Sequence, residues 1–385
     1  MMFNGFPLIY FFRDTLGIGP ASSIFTLGFF TLAFILMTPA HLFRRFYKPN
    51  VVLFNLGLGF LLVAIYYYFL YNFNGKSVTD LGNFIFIFGF IFLLLHIPND
   101  VKDTLVLVLF LVSLFCNITL VYSLLTDPNW SPGMRAAVSF ANEDAQPGGN
   151  PHMTARNGVI CLLSAIMIMG RVKNVLMKIF LFFSVIFSLA VVVLSLAKSS
   201  YLGIGLMLMC YFMFQFNFSK FFSNIRKQFT LKTFIMLVGI FFGLRMFLQQ
   251  YNDIYWMVLN YWDNFENRIM DVLYTALGVK LSADANIDAS AMGRVSGFNE
   301  FLDTLYSRHA FFGQGFKSVY LDVPILESFV ALGIPGFIFF ASFNFFLLIY
   351  AIREIRRNTN SLTTFLAYFV ISMSILLLTG GQPTE

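Results

Sequence analysis

The stretch VVLFNLGLGFLLVAIYYYFLYNF, residues 51–73, runs for 23 positions without a charged side chain. A helix needs about 20 mostly apolar residues to cross the hydrocarbon core of a bilayer. In lipid, every backbone N–H and C=O group must be satisfied within the protein, so a run this long and continuously apolar predicts a spanning helix and not a strand. This stretch places the chain among integral membrane proteins.

Similar apolar runs recur along the chain. Together they predict about ten full spans, at residues 21–40, 51–73, 81–97, 104–125, 153–170, 179–197, 199–217, 233–249, 324–350 and 361–380. Composition agrees, because 58% of the residues are hydrophobic and 11% are charged, whereas an average soluble domain has about 25% charged residues. The predicted fold is all-α, a polytopic helical membrane bundle.

The first 20 residues fit this pattern less well. The run FPLIYFF is too short to cross, is followed by Arg13 and Asp14, and lacks the cleavage pattern of a signal peptide. We predict a short interfacial or half-inserted segment, with an additional short span and an inward N-terminus as the alternative. The chain then divides into membrane helices over 1–249, a large external loop containing helices over 250–323, and the last membrane helices and tail over 324–385.

Basic residues orient the bundle. Fourteen of the 25 lysines and arginines fall in alternate short loops: Arg44, Arg45, Lys48, Lys102, Arg171, Lys173, Lys178, Lys220, Arg226, Lys227, Lys232, Arg353, Arg356 and Arg357. The positive-inside rule makes these loops cytoplasmic. The segments near 74–80, 126–152 and 250–323 therefore face outward. The pI of about 9.1 reports this topology and calls for no nucleic-acid partner.

Several cations stand out at the predicted outer boundary. Arg294 begins a predicted loop helix, where free N–H groups and a guanidinium together suit a phosphate; the alternative is a solvated arginine paired with Asp284 or Asp288. Lys198 lies between two apolar runs, where a charge is costly and often functional, although its stem could snorkel to the interface. Arg245, about one turn from the outer end of its span, has the same two interpretations.

Two carboxylates close the loop. Asp322 precedes Pro324 and could cap the helix that Pro324 begins, a role that is compatible with catalysis. Glu327 lies in an apolar span, where a carboxylate usually faces a cavity or a partner.

Histidines beside arginines form the secondary candidates. His309 follows Arg308 before the string FFGQGF, and His152 lies near Arg156 at the start of a span. A solvated loop histidine and an interfacial histidine are the respective alternatives. No Asp-x-Asp pair and no metal-ligand spacing occurs in the sequence, so neither a metal nor a cofactor is expected.

The order of several short motifs resembles the bacterial O-antigen polymerase and O-antigen ligase superfamily. These motifs are GNPHMTARNG, LSLAKSSYLGIG, the Gly-Arg pair at 293–294, FFGQGF, and DVPILESFVALGIPG. They are scattered over roughly residues 140–345, and their order and spacing, more than any single motif, make the similarity. The family consists of membrane glycosyltransferases with a large external loop before a late span.

The resemblance assigns roles to individual residues. Arg294 matches the family's loop arginine, and Gly313 and Gly315 match its glycine pair. Two positions depart from the pattern. Lys198 stands where the family has an arginine, which weakens a bidentate phosphate grip, and Asp322 replaces the histidine that ligases usually have. The second departure favours the polymerase branch.

What the resemblance implies is glycan transfer from undecaprenyl pyrophosphate to a hydroxyl group. Lys198 and Arg294, with Arg308 and Arg156 as auxiliaries, would stabilise the departing pyrophosphate, while Asp322 and Glu327 would serve the acceptor hydroxyl. The implied location is a bacterial inner membrane, with a periplasmic active face. Expected partners are the lipid-linked oligosaccharide, membrane lipid and a chain-length regulator protein.

Other functions fit the same composition. An O-antigen ligase would use the same donor and transfer the glycan to lipid A core. A polysaccharide or lipid transporter, or a flippase, would also be a basic helical bundle, and its signs would be half-length helices and midplane charges. A structural membrane subunit could use the loop as a docking surface.

Overall fold

The computed structural model describes residues 5, 8–9, 11–20, 23–37, 49–72, 75, 78–95, 102–126, 151–216, 289–321, 323–379 and 383, with a few positions between 238 and 263. Within these residues all regular structure is helical. The α-helices are α1 (Ser23–Met37), α2 (Val51–Leu70), α3 (Val78–Leu95), α4 (Lys102–Thr126), α5 (Pro151–Met169), α6 (Val175–Ser195), α7 (Lys198–Phe214), α8 (Ala289–Tyr306), α9 (Pro324–Arg357), α10 (Ser361–Met373) and α11 (Leu376–Thr379).

Six described helices are long and apolar enough to cross a membrane: Val51–Leu70, Thr104–Thr126, His152–Met169, Val175–Ser195, Pro324–Arg357 and Ser361–Leu378. The predicted all-helical fold is therefore confirmed, and these helices support a membrane-embedded protein. The count of ten spans is not, because the predicted spans at 21–40, 81–97 and 199–217 appear as shorter apolar helices, Ile24–Leu36, Asp80–Leu93 and Ser199–Phe214. The span predicted at 233–249 lies mostly outside the described residues.

The described part of the N-terminal segment is one helical turn, Phe11–Thr15, together with short stretches around it. Its Phe11 ring packs edge-on against Phe115 and Tyr122 of α4, at centroid distances of 6.3 and 6.1 Å. The Thr15 and Ser123 hydroxyls are hydrogen-bonded at 2.7 Å. The segment is therefore a short helical piece packed on the side of a span.

Helices α4, α5 and α6 share a buried polar network. The side-chain N–H of Asn157 donates to Asn117 Oδ1 at 2.7 Å and to the Ser113 carbonyl at 3.0 Å. Asn117 in turn donates to Ser188 Oγ at 3.4 Å. All four residues are at most 2% exposed. Between spanning helices, where lipid offers no hydrophobic drive for association, such bonds help to select partners.

Contacts between α7 and α9 define the two ends of the bundle. Gln215, just after α7, donates to the Ile355 carbonyl at 2.7 Å, and the Arg356 guanidinium lies 4.4 Å from the Phe214 ring centroid. Both helices therefore finish at the same end, which carries Arg356 and Arg357. They begin at the opposite end, here called the loop end, where α2 finishes and α3 begins.

Helix α9 is broken near the loop end. Gly333 has φ 64° and ψ −163°, which is not helical. The break separates a short half, Pro324–Leu332, from Ile334–Arg357. At 1.5 Å per residue, the long half alone measures about 36 Å, enough for a bilayer core of about 30 Å. The short half is thus an extra buried piece at the loop end.

Candidate functional site

The break in α9 leaves two carbonyl groups without their usual helical partners. In a continuous helix Val330 O would accept from residue 334 and Ala331 O from residue 335. Gly333 turns the chain away from the first bond, and Pro335 has no N–H for the second. Buried carbonyls without a donor are costly, so other donors are required.

The segment Phe311–Phe316, here called the inserted segment, supplies those donors. Three backbone hydrogen bonds join it to the break: Gln314 N–H to Val330 O at 2.7 Å, Gly315 N–H to Ala331 O at 3.0 Å, and Ile334 N–H to Phe311 O at 3.2 Å. The loop before α9 therefore completes the hydrogen bonding of this helix. Non-helical backbone is tolerated here because it is buried in protein and its polar groups are paired.

Glycine is required on both sides of this junction. Gly313 has φ +69°, and a Cβ there would lie 2.5 Å from Ala331 O. A Cβ on Gly333, at φ +64°, would collide with Phe311 O. Gly313 therefore serves both a positive φ and a close approach of two backbone segments.

The inserted segment is also fixed to α2 and α3. Phe316 is 2% exposed and packs against Tyr68 and Phe84, at centroid distances of 5.5 and 5.9 Å. Directly after it, Lys317 Nζ lies 2.8 Å from Asp80 Oδ1 in the first turn of α3. Residues far apart in sequence therefore hold the loop against the bundle.

Glu327 lies in the first turn of the short half of α9 and is 2% exposed. Its Oε2 accepts a hydrogen bond from the Leu321 backbone N–H at 3.1 Å. The carboxylate thus has a polar partner within the protein, as expected of an acidic residue in a span. Val323 occupies the N-cap position without a side-chain bond, and Asp322 lies outside the described residues.

Helix α8 packs on the same short half. The Phe301 and Phe329 rings are 5.1 Å apart, and a Cβ on Gly297 would lie 3.5 Å from Leu321 Cβ. Arg294 precedes Gly297 by three positions, which places both on one side of the helix. The Arg294 side chain lies outside the described residues, but its helical turn adjoins the residue that donates to Glu327.

A second group of predicted residues gathers where α5 and α7 begin. His152 Nδ1 and Ser199 Oγ are 3.1 Å apart, so α5 meets the residue that follows Lys198. Helix α7 has Ala197 at its N-cap and no side-chain cap. Its free N–H groups create positive potential at this point. The Lys198 side chain lies outside the described residues.

Arg156 lies one turn after His152 on α5. Its Nη2 is 3.5 Å from Met153 Sδ, a weak acceptor. Its Nε is buried and meets no acceptor within the described part of the chain. A buried guanidinium nitrogen without an acceptor is unfavourable, and an incoming anion would satisfy it.

The remaining predicted residues are exposed. Arg308 and His309 form a 3₁₀ turn after α8, and the His309 carbonyl accepts from Gly313 N–H at 2.6 Å. Arg245 is exposed among the few described positions near it. In the part of the chain that the structure describes, no group of three or more His, Cys, Asp or Glu side chains could hold a metal ion.

The sequence interpretation missed two features of the site. One is the break in α9, because residues 324–350 were predicted as one continuous span, although Gly-Ile-Pro-Gly combines a residue permissive of positive φ with one that disrupts helical bonding. The other is the pairing of Gln314 with Glu300 and Thr304 of α8, at 2.7 and 2.9 Å. No local pattern connects these polar residues.

No protein-family model matches the chain, and no curated protein matches it at a significant level. Its function must therefore be argued from its residues, their geometry and the motif resemblance.

Proposed function

We propose that this protein is a membrane glycosyltransferase that polymerises undecaprenyl-pyrophosphate-linked oligosaccharide repeat units into O-antigen or capsular polysaccharide. The proposed setting is the periplasmic face of a bacterial inner membrane. One observation carries the proposal: the partly buried Arg156 has a buried Nε without an acceptor among the described residues, one turn after His152, which contacts Ser199 at the uncapped start of α7. Both features suit the diphosphate of a lipid-linked sugar.

Buried Glu327 supports the same reaction. In glycosyl transfer the acceptor hydroxyl oxygen forms a bond to the anomeric carbon, while the bond from that carbon to pyrophosphate breaks. The electron pair leaves with the pyrophosphate, and the hydroxyl proton must be accepted. Glu327 lies at the loop end, on the half-helix against which α8 packs, where a carboxylate can serve as base or orient the hydroxyl.

Cations perform the complementary task at the leaving group. Arg156, with Lys198, Arg294 and Arg308 as the further predicted contacts, would stabilise the negative charge that develops on pyrophosphate. Because fixed positive charge takes this role, we propose that the reaction is metal-independent. Asp322 is proposed to share the acceptor end with Glu327, and a chain-length regulator protein is the proposed protein partner.

A transporter or flippase remains the second candidate, because of the break at Gly333 in α9. Broken helices of this kind occur at substrate sites in transporters. An O-antigen ligase is a further alternative within the enzyme class. It would use the same donor and differ only in its acceptor.

The functions separate on a gel of surface polysaccharide from a gene-deletion strain. A polymerase predicts loss of the ladder with a single repeat unit kept on core. A ligase predicts loss of all core-attached glycan with lipid-linked polymer accumulating, and an unchanged pattern would count against both. Purified protein given a lipid-linked repeat in detergent then distinguishes a polymerase, which elongates it, from a flippase, which does not.

The Arg156→Met substitution tests the proposed role of Arg156 in binding the diphosphate. Removing a partly buried cation whose Nε has no acceptor in the described structure should raise the free energy of unfolding by about 1 kcal/mol, while polymer formation is lost. Thermal unfolding in detergent and the gel measure the two effects. The control is Arg353→Met, near the end of α9 that lies opposite the loop end. This variant should keep activity. An Arg156→Met variant with full activity would remove Arg156 from the site.

A further inference from the structure

Gln314 connects three elements of the loop end. Its backbone N–H donates to Val330 O at 2.7 Å, so its position is set by the break in α9. Its side-chain Nε2 donates to Glu300 Oε1 at 2.7 Å and to Thr304 Oγ1 at 2.9 Å. These acceptors lie one turn apart on α8, and an amide nitrogen has two protons to give. Both donors are therefore used on one helix.

The pairing is well supported on the α8 side. Thr304 is 1% exposed, and its hydroxyl donates to the Glu300 carbonyl at 2.9 Å. Glu300 is half-buried, and Gln314 is the side-chain partner of its carboxylate in the described structure. Hydrogen bonds to a charged acceptor are shorter and stronger than neutral ones. These hydrogen bonds are thus directional. They favour one rotation and one axial position of α8, which together are its register.

Apolar contacts also join α8 to the chain around the start of α9. They include the Phe301–Phe329 ring contact at 5.1 Å and the approach of Gly297 to Leu321, which precedes α9. Apolar contacts favour association but are non-directional, so they permit sliding or rotation of α8. A step of one residue would move Arg294 by about 1.5 Å along the axis and turn it by about 100°.

We infer that Gln314 is a positioning residue, which holds α8 in the register that sets the Arg294 turn against the half-helix carrying Glu327. Its importance for transfer rests on the proposed function, whereas its effect on the position of α8 does not. On either side of Gln314, Gly313 and Gly315 have φ of 69° and 117°, which let the Gln314 backbone enter the break. In this view the Gly-Gln-Gly string fixes the relative position of two site elements.

A designed cysteine pair measures the register directly. The Cβ position of Gly297 is 3.5 Å from Leu321 Cβ, within the range of about 3.5–4.5 Å that a disulfide needs. Gly297→Cys with Leu321→Cys should therefore cross-link rapidly under mild oxidation, and each single variant should not. Leu321→Cys keeps the backbone N–H that binds Glu327, and the three native cysteines are buried.

Adding Gln314→Leu to the cysteine pair removes both side-chain donors at similar volume. We expect the cross-linking rate to fall about tenfold, because α8 samples other registers. Asn299→Leu, on the exposed side of α8, is the matched control and should leave the rate unchanged. An unchanged rate with Gln314→Leu would overturn the inference, whether or not the protein makes polymer.

A swap of the two side chains provides a rescue. Gln314→Glu places two carboxylates against each other and should slow cross-linking more than Gln314→Leu does. Adding Glu300→Gln restores one amide and one carboxylate, so the double variant should recover most of the rate. A double variant as slow as Gln314→Glu would contradict a positioning role for this pair.

Activity of the same variants links register to transfer. Gln314→Leu should lower kcat for a lipid-linked repeat about tenfold and change KM for that donor less than about threefold, because Arg156 and the start of α7 are untouched. Loss of cross-linking together with unchanged kcat would overturn the link between register and transfer. Absence of any polymerase activity in the parent protein would instead reject the proposed function and leave the register measurement valid.

Discussion

Two regions of this molecule satisfy their buried polar groups in different ways. In the α4–α6 region the helices are regular, and buried side chains of Asn117, Asn157 and Ser188 connect one helix to the next. In the loop–helix region, residues 289–333, helix α9 is interrupted, and the backbone of the inserted segment takes over its hydrogen bonds. In the first region, side chains join complete helices. In the second, the backbone of a loop completes the hydrogen bonding of an interrupted helix.

The difference determines where the candidate site can be built. Regular spans orient side chains toward neighbouring helices, but they cannot bring an external loop into the bundle. The interruption at Gly333 opens room for the inserted segment, and with it come the contacts of α8 and the Leu321 N–H that binds Glu327. Strained backbone of this kind clusters at functional sites because the surrounding structure must hold it in place.

The largest expected effect of a single substitution is that of Gly333→Ala. The residue has a φ of 64° with a ψ of −163°, a region open essentially only to glycine, and the new methyl group would collide with Phe311 O. The atoms that this methyl group would meet are backbone atoms, which cannot rotate away as a side chain could. We therefore expect a loss of about 3 kcal/mol or more in the free energy of unfolding, or failure to fold. Thermal unfolding in detergent measures it.

Gly205→Ala is the matched control for that prediction. Gly205 lies within α7 and has open space where its Cβ would be. Alanine there should be neutral or should stabilise the helix by up to about 1 kcal/mol. Equal behaviour of the two variants would show that the break at Gly333 has no special backbone requirement.

The membrane helices were the part of the fold that the sequence could predict. Runs such as residues 51–73 are apolar at every position, and lipid leaves the backbone no alternative to helix. The run from 324 to 350 was predicted as one continuous span for the same reason. Its break depends on donors from Phe311–Phe316, and hydrophobicity contains no information about such a distant backbone contact.

The candidate site was predictable to a smaller extent. Glu327 was identified as a carboxylate in need of a partner, because charge in an apolar run is conspicuous. That partner is the N–H of Leu321, which any residue could have supplied at that position. The pairing of Gln314 with Glu300 was missed because 14 positions separate residue types that are common in any solvated loop.

A glycine in the α4–α6 region tests the same comparison with a smaller effect. A Cβ on Gly158 would lie 2.6 Å from Val192 Cγ2 and 3.2 Å from Ser188 O. We expect Gly158→Ala to cost about 2 kcal/mol through overpacking, partly offset by better helix propensity. Because the main obstacle is a side chain, adding Val192→Ala should recover much of the loss in thermal unfolding. No recovery would mean that the backbone of α6 sets the limit here too.

The next smaller loss of stability is expected in the buried hydrogen-bond network of the α4–α6 region. Asn157→Ala removes two donors and leaves Asn117 Oδ1 and the Ser113 carbonyl without them. We expect a loss of about 1 kcal/mol, since hydrogen bonds between membrane helices average below that value and cavity formation adds to it. Asn117→Leu with Asn157→Leu should cost less than the sum of the two single changes. Additive losses would indicate that the two amides act independently.

The smallest effect concerns Lys317, which joins the loop–helix region to α3. Its ion pair with Asp80 is partly exposed, with side chains 26% and 14% accessible, and such pairs contribute about 1 kcal/mol or less. The residue also has φ 49°, a conformation that costs an L-residue about 1 kcal/mol and glycine almost nothing.

Lys317→Ala keeps the strain and loses the pair, so it should lower the unfolding midpoint in detergent. Lys317→Gly loses the same pair and relieves the strain, so its midpoint should lie above that of Lys317→Ala and close to the parent. If glycine proves worse than alanine, relief of backbone strain at this position does not outweigh the larger chain entropy that glycine adds to the unfolded state.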